Sequence, residues 1–100
     1  MFILWVLKQE GQTHGYRLIK VLQERTHGRW EPKSGTVYPI LRKLESRGFI
    51  KSEWIREDGR KRRYYKITST GSKALHEGML EWKKTMLGFG KFLEELLGVG

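Results

Sequence analysis

The first half of the chain carries the apolar spacing of helices. Residues 2–9 are mostly apolar, and Gly11 after them predicts the end of a first helix. Thr13 belongs to a residue type that caps helix N-termini, so a second helix is predicted from there to Gly28. The apolar residues of this second helix fall on one face, at Leu18, Ile19 and Leu22.

A third helix is predicted from Ser34, another potential N-cap, to Gly48, a typical C-terminal stop. Its apolar stripe consists of Val37, Ile40, Leu41 and Leu44. Pro39 interrupts this helix, because proline has no N–H to donate and its ring disturbs the preceding turn. Two interpretations are open: a kinked first turn, or a helix that begins nearer Tyr38.

Two strand patterns follow the third helix. Residues 49–56 and 62–67 are rich in β-favouring side chains, and Asp58-Gly59 between them predicts a two-residue hairpin turn. Since neighbouring strand residues point to opposite faces, one of Tyr64 and Tyr65 should be buried. The positions predicted as core by pattern are Leu18, Ile19, Val37, Leu41, Leu44, Ile50 and Ile67.

The last segment has the most regular spacing in the chain, and its helix is predicted to start at Thr68 or Thr70. Apolar residues recur there at alternating intervals of four and three, which is the a/d repeat of a helix that pairs along its length. These residues are Leu75, Met79, Trp82, Met86, Phe89, Leu93 and Leu96. Gly88 and Gly90 each cost roughly 1 kcal/mol relative to alanine in a helix, so a break into two helices is a second interpretation.

The order helix, helix, helix, hairpin, helix is typical of a winged helix-turn-helix domain with a long C-terminal helix. The predicted fold class is therefore mainly α with a small β-hairpin, or α+β. Residues 1–68 would form the DNA-binding part and residues 69–100 the dimerisation helix. With 100 residues, both parts would belong to one compact unit.

The charge distribution indicates the kind of partner. The net charge is +9 and the isoelectric point is near 10.0. Residues 56–66 contain six basic and two acidic side chains, so this segment alone carries +4. A surplus concentrated in this way favours a polyanion, with nucleic acid ahead of an anionic membrane.

Other function classes are disfavoured by the composition. Without cysteine there is neither a disulfide nor a thiolate metal site, and the three histidines lack metal-ligand spacing. Residues 2–7 are too short an apolar run to span a membrane and do not resemble a signal peptide. Glu77 and Glu81 suit a solvated helix face better than a catalytic carboxylate pair. We therefore expect no enzyme activity, cofactor or metal, and a cytoplasmic protein that is associated with the nucleoid when bound to DNA.

Four sequence blocks together resemble the PadR family of transcriptional regulators, over about residues 3–75. The blocks are His14-Gly15-Tyr16, Ser34-Gly35-Thr36-Val37-Tyr38-Pro39, Arg42-x-Leu44-Glu45-x-x-Gly48-Phe49-Ile50, and Gly59-Arg60-x-Arg62-Arg63-Tyr64-Tyr65-x-Ile67-Thr68-x-x-Gly71. Gly35 departs from the usual proline of the family, and the family's first helix usually begins a few residues earlier. The resemblance implies a two-fold dimer, built by the C-terminal helix, that binds pseudo-palindromic operators, mostly as a repressor.

The candidate DNA contacts lie at helix starts and in the hairpin. Hydroxyl and aromatic side chains at the start of the third helix can reach bases or phosphates, and basic side chains beside them can reach the backbone. On alternating strand geometry, two or three of the four hairpin cations should touch DNA. The full set is Tyr16, Lys33, Ser34, Thr36, Tyr38, Arg42, Lys43, Arg60, Lys61, Arg62 and Arg63, with Arg17 a further backbone contact.

A ligand site is a separate expectation. The multidrug-responsive subgroup of the family has a tryptophan eleven residues after the glycine that follows the β-hairpin. In that subgroup this tryptophan lines a central pore for flat aromatic compounds. Gly71 and Trp82 have the same spacing. Met79 and Met86 would flank it. The alternative is that Trp82 only packs the dimer interface.

The prediction is thus a sequence-specific dimeric repressor whose partners are double-stranded DNA, a second copy of the chain and a small planar aromatic compound. One alternative is a non-specific architectural DNA-binding protein. Another is a winged-helix module that binds proteins and has no role at nucleic acid.

Overall fold

Apart from one short strand that was not predicted, the helices and strands follow the predicted order. A computed structural model describes residues 2–98. The elements are α1 (Phe2–Glu10), β1 (Thr13–His14), α2 (Gly15–Arg25), α3 (Ser34–Ser46), β2 (Ile50–Glu57), β3 (Arg60–Ile67) and α4 (Ser69–Leu97). Three helices, a hairpin and a final helix therefore confirm the predicted α+β class.

The hairpin is part of an antiparallel sheet with the strand order β1-β3-β2. Asp58 and Gly59 both have positive φ, 50° and 76°, as a two-residue turn of the favoured hairpin type requires. Glu57 pairs directly with Arg60 across this turn. The second strand therefore begins at Arg60, two residues earlier than the sequence pattern predicted. We call the β2–β3 hairpin, residues 50–67, the wing.

The prediction that Thr13 caps the second helix is wrong. Thr13 lies in β1, where it pairs with Tyr65 of β3, and its side chain is buried. Strand pairing holds the backbone of this residue extended and directs its side chain toward the protein interior. The cap falls on the next residue, His14, whose Nδ1 accepts a hydrogen bond from the backbone N–H of Arg17 at 3.2 Å.

The prediction that Ser34 is the N-cap of the third helix is wrong, because α3 begins at Ser34 itself. Its N-cap is Lys33, which makes no side-chain cap hydrogen bond. Pro39 lies inside this helix, and the alternative start near Tyr38 is therefore wrong. The predicted stop at Gly48 is confirmed, since this residue has φ of 77° and the backbone N–H of Phe49 returns to the carbonyl of Leu44 at 3.0 Å.

The core lies between the first three helices, the sheet and the start of α4. Its buried apolar residues are Ile3, Leu4, Val6, Leu7, Leu18, Val21, Leu22, Val37, Leu41, Ile50, Tyr65 and Leu75. Tyr65 is thus the buried member of the tyrosine pair. Among the predicted core residues, Ile19, Leu44 and Ile67 are half-buried and pack against this cluster.

Helix α4 projects from the domain as an arm. Thr68 caps it by accepting a hydrogen bond from the backbone N–H of Gly71 at 3.0 Å. The helix then continues through Gly88 and Gly90, so the interpretation as two helices is wrong. Its 29 residues correspond to about 43 Å. Only Gly71 and Leu75 of α4 are buried, so most of the helix lies outside the core.

Candidate nucleic-acid interface

A groove of about 640 Å³ lies between the start of α2, helix α3 and the wing. Tyr16 of α2, Tyr38 and Arg42 of α3, and Trp54 and Lys61 of the wing all line it. The predicted helix contacts and the wing cations therefore meet at one surface, although Tyr16 and Lys61, for example, are 45 positions apart in the sequence.

The predicted contacts at the helix starts are mostly exposed. Tyr16 is 76% exposed at the first turn of α2. The other exposed members of this group are Arg17, Lys33, Ser34, Thr36, Arg42 and Lys43. Tyr38 differs, because it is half-buried against Gly15, where an added Cβ would lie 2.5 Å from the tyrosine hydroxyl. Tyr38 thus fixes the spacing of the two helices and also borders the groove.

The four consecutive basic residues of the wing, at positions 60–63, differ in their surroundings. Arg62 is half-buried, and its Nη1 lies 3.1 Å from Nε2 of His14. Arg63 points to the other face of the sheet, where it reaches helix α3. Among residues 2–98, Arg60 and Lys61 make neither an ion pair nor a side-chain hydrogen bond, and both are exposed. These two cations at the wing tip are therefore available to an external anion.

His14 has an unusual electrostatic environment. Its pKa is lowered, first by burial and then by the positive charge of Arg62, with Glu57 acting in the opposite direction. Tyr64 packs edge-on against the imidazole at a centroid distance of 5.4 Å. Burial and the Arg62 charge thus favour the neutral form of this ring beside the wing.

A hydrogen-bonded network joins α3 to the wing. The Ser52 hydroxyl donates to Oε2 of Glu45 at 2.6 Å, and Nε of Arg63 donates to the same hydroxyl at 2.9 Å. Nη2 of Arg63 lies 3.4 Å from Oε1 of Glu45. The Arg63 guanidinium also lies 5.7 Å from the centroid of the Trp54 ring.

The sequence prediction missed Glu45, Trp54 and His14 as residues that line the groove, and it missed Ser52 as their hydrogen-bonding neighbour. A usable signal existed for Trp54, because a two-residue turn at 58–59 places residue 54 opposite residue 63. No comparable signal existed for His14, whose position depends on the two-residue strand β1.

The heptad residues of α4 divide into one core residue and an exposed stripe. Leu75 is 3% exposed and packs in the core of its own chain. The remaining six are exposed: Met79, Trp82, Met86, Phe89, Leu93 and Leu96. Trp82, the candidate ligand contact, is 60% exposed.

No helix within residues 2–98 is both long enough and apolar enough to cross a membrane. Within the same range, no group of histidine, aspartate and glutamate side chains could hold a metal ion.

Known proteins share both this sequence pattern and this fold. Residues 3–77 match the family described as "Transcriptional regulator PadR-like family". The chain belongs to the PadR-like family. A crystal structure of a PadR family transcriptional regulator from Eggerthella lenta DSM 2243 has a TM-score of 0.81 at 34% identity, over 93% of this chain and 81% of that one.

Two curated relatives are similar over the same region. Transcriptional regulator Rv3488 of Mycobacterium tuberculosis is 39% identical over 71 residues, which are 71% of this chain and 53% of that protein. The negative transcriptional regulator PadR of Bacillus subtilis is 28% identical over 75 residues, 74% of this chain and 41% of that protein. The chain thus spans about half the length of the first of these relatives and less than half of the second.

The family assignment confirms the predicted resemblance and the winged-helix fold. It makes this chain a PadR-like transcriptional regulator and confirms that the protein is not an enzyme. The multidrug-responsive subgroup, the operator and the dimer stay predictions.

Proposed function

We propose that this PadR-like regulator is a dimeric repressor that binds a pseudo-palindromic operator. Residues 1–68 would bind one half-site, and α4 would pair with a second copy. The exposed start of α3 would enter the major groove, and the wing would lie along the adjacent phosphates.

The observation that supports DNA binding is the juxtaposition of exposed helix starts with two wing-tip cations along one groove. Arg60 and Lys61 line the same groove as Tyr16 and Arg42. Phosphates attract such cations without regard to sequence, whereas side chains at a helix start can distinguish bases. The same surface can therefore supply both affinity and specificity.

The exposed stripe of α4 supports pairing. Phe89 and Leu96 are 53% and 67% exposed, and an apolar surface of this length costs free energy unless another surface covers it. A regular heptad seam is complementary to a second copy of itself. Two paired chains would present two α3 helices, which suits half-sites about one helical turn apart, roughly 34–36 Å.

Selection from a randomised duplex library, followed by footprinting of the enriched duplex, tests the proposal. Two protected half-sites about one helical turn apart are expected. Equal displacement of the probe by any duplex would instead indicate an architectural protein. If replacing Arg60, Lys61, Arg62 and Arg63 with alanine leaves function in cells unchanged, the chain acts as a protein-binding module.

Release by a small aromatic compound is the second part of the proposal, supported by the exposure of Trp82 on the stripe between Met79 and Met86. A planar compound could stack on two such indoles where paired helices meet. Titration with planar aromatic dyes should quench tryptophan fluorescence more in the parent than in Trp82→Phe. Equal quenching in both proteins would contradict a site at Trp82.

A further inference from the structure

A carboxylate lies in the groove that we propose to face DNA. Glu45 of α3 is the one acidic side chain among the described residues that line this groove. An anion at this position would repel phosphates unless its charge is balanced within the protein. The positive charge that balances Glu45 is that of Arg63, on strand β3.

Four residues from three elements form this contact, and we call them the helix–wing clamp: Glu45, Ser52, Trp54 and Arg63. Glu45 lies on α3, Ser52 and Trp54 on β2, and Arg63 on β3. The Ser52 hydroxyl accepts from Arg63 at 2.9 Å and donates to Glu45 at 2.6 Å, so it bridges the ion pair. Trp54 pairs with Arg63 across the hairpin, and the guanidinium lies over its ring.

We propose that Arg63 is a positioning residue for DNA recognition, an inference that rests on the proposed function. Through Glu45 and Ser52 it holds the wing at a fixed distance from α3. Helix α3 and the wing must contact the duplex at the same time. If the distance between them changed, either the helix or the wing would lose its contacts with DNA. Arg63 therefore contributes to binding through the geometry of the wing and not through a phosphate.

The chemistry of the guanidinium favours this role. Nε and Nη2 of Arg63 already face oxygen atoms of Ser52 and Glu45, and the Trp54 ring lies beside the group. A planar fork with several fixed donors can bridge a hydroxyl and a carboxylate, whereas the point charge of lysine cannot reproduce both contacts. Arg60 and Lys61 are left to neutralise phosphates.

Substitution of Glu45 distinguishes the two roles by the sign of its effect. If Arg63 contacted a phosphate, Glu45→Gln would strengthen DNA binding, because it removes a negative charge and releases the cation. If the clamp sets the wing, Glu45→Gln should weaken binding to the library-selected duplex about two- to fivefold, the range of a partly exposed ion pair. Affinity for an unrelated duplex should stay the same or rise.

Glu53→Gln is the matched control. Glu53 lies on β2 next to Ser52, with its side chain on the opposite face of the strand, and accepts a hydrogen bond from Gln12 Nε2 at 2.7 Å. It removes the same charge, and binding to the selected duplex should not fall. Ser52→Ala, which changes no charge, should weaken binding in the same direction as Glu45→Gln, and melting curves identify any variant that has lost its fold.

A double-mutant cycle completes the test. Glu45→Gln and Arg63→Gln should together cost little more than either change alone, since each breaks the same contact. Arg63→Lys should not restore parent affinity. Stronger binding by Glu45→Gln, or full binding by Arg63→Lys, would overturn the positioning role. A parent protein that enriches no duplex would overturn the proposed function itself.

Discussion

A single histidine ring at the start of α2 faces two hydrogen-bond donors. Nδ1 of His14 lies 3.2 Å from the backbone nitrogen of Arg17, and Nε2 lies 3.1 Å from Nη1 of Arg62. A neutral imidazole can accept at one of its nitrogens, and a protonated imidazole can accept at neither. Burial and the charge of Arg62 lower the pKa of His14, with a smaller contribution from Arg17 and an opposing one from Glu57. The helix cap therefore depends on the neutral ring.

Acidification should destabilise the fold through His14. Because the pKa in the folded protein is below its usual value of 6.5, the stabilisation is complete above 6.5 and is lost as the pH falls through the folded-state pKa. Complete loss of a cap worth about 1 kcal/mol would lower the melting temperature by roughly 4–8 °C. Circular dichroism melts of the parent at about pH 7.5 and 5.5 should show a fall within that limit.

The matched variant is His14→Asn, since asparagine caps helices but does not titrate. Its melting temperature should fall much less over the same pH interval. His76→Asn, a change at an exposed position on α4, should keep the pH dependence of the parent. An equal fall in His14→Asn and the parent would show that other groups cause it.

At the scale of elements, the entry of α4 determines how the arm leaves the domain. Gly71, in the first turn of α4, packs directly on the backbone of Phe49. A Cβ at this position would overlap the Phe49 carbonyl oxygen and would lie 2.9 Å from Cγ1 of Ile67. Thr68 fastens the same junction through a hydrogen bond from its hydroxyl to the Gly48 carbonyl at 2.6 Å. Glycine is required here by the close approach of two backbones.

Substitution by alanine should therefore change the free energy of unfolding in opposite directions at two glycines of α4. Gly71→Ala is expected to lower the free energy of unfolding by about 1–3 kcal/mol, because the backbone of Phe49 must move. Gly88→Ala should raise it by about 0.4–1 kcal/mol, since a Cβ there meets nothing within 4 Å and alanine favours the helix. Denaturant titrations of both variants check this, and a gain in Gly71→Ala would contradict the close packing.

The wing should contribute to DNA affinity mainly through its tip. Each phosphate contact adds about 0.9 to the slope of log affinity against log salt concentration. Arg60→Ala and Lys61→Ala should each reduce this slope by about one and weaken binding to all duplexes alike. Lys91→Ala, far along α4, is the control and should leave the slope unchanged. Salt titrations that show an equal loss for all three would contradict a specific role of the tip.

The elements differed in how well the sequence predicted them. The turn at Asp58 and Gly59 specified the hairpin, and its register also places Trp54 opposite Arg63. Thr13 was misassigned because a two-residue strand has no periodicity to detect, and its pairing with β3 depends on residues more than fifty positions away. The clamp was missed for a similar reason: neither α3 nor the wing alone indicates how closely they pack.

At the scale of the molecule, the arm makes the chain much longer than a compact domain. The principal extents are 63 × 29 × 20 Å, and the radius of gyration is 17.0 Å, against roughly 13 Å for a compact chain of this length. The exposed stripe lies along the projecting part. Apolar residues beside the seam, including Phe92 at 53% exposure and Leu97 at 76%, widen the surface. An arm of this kind is suited to lie against a second copy.

A carboxylate introduced into α4 should prevent pairing only where it lies on the exposed stripe, and not merely because it changes the charge of the helix. Leu93→Glu places a carboxylate on the proposed seam, where burial of an unpaired charge is costly, so the protein should sediment as a monomer at micromolar concentration. Lys91→Glu changes the charge by two on the opposite side of the same helix turn and should leave a dimer. A dimer engages both half-sites at once, so the monomeric variant should lose most of its affinity for the full operator. It should still bind a single half-site, because its groove and wing are intact. Sedimentation of Leu93→Glu as a dimer, or monomeric parent protein even in the presence of the duplex, would contradict assembly through α4.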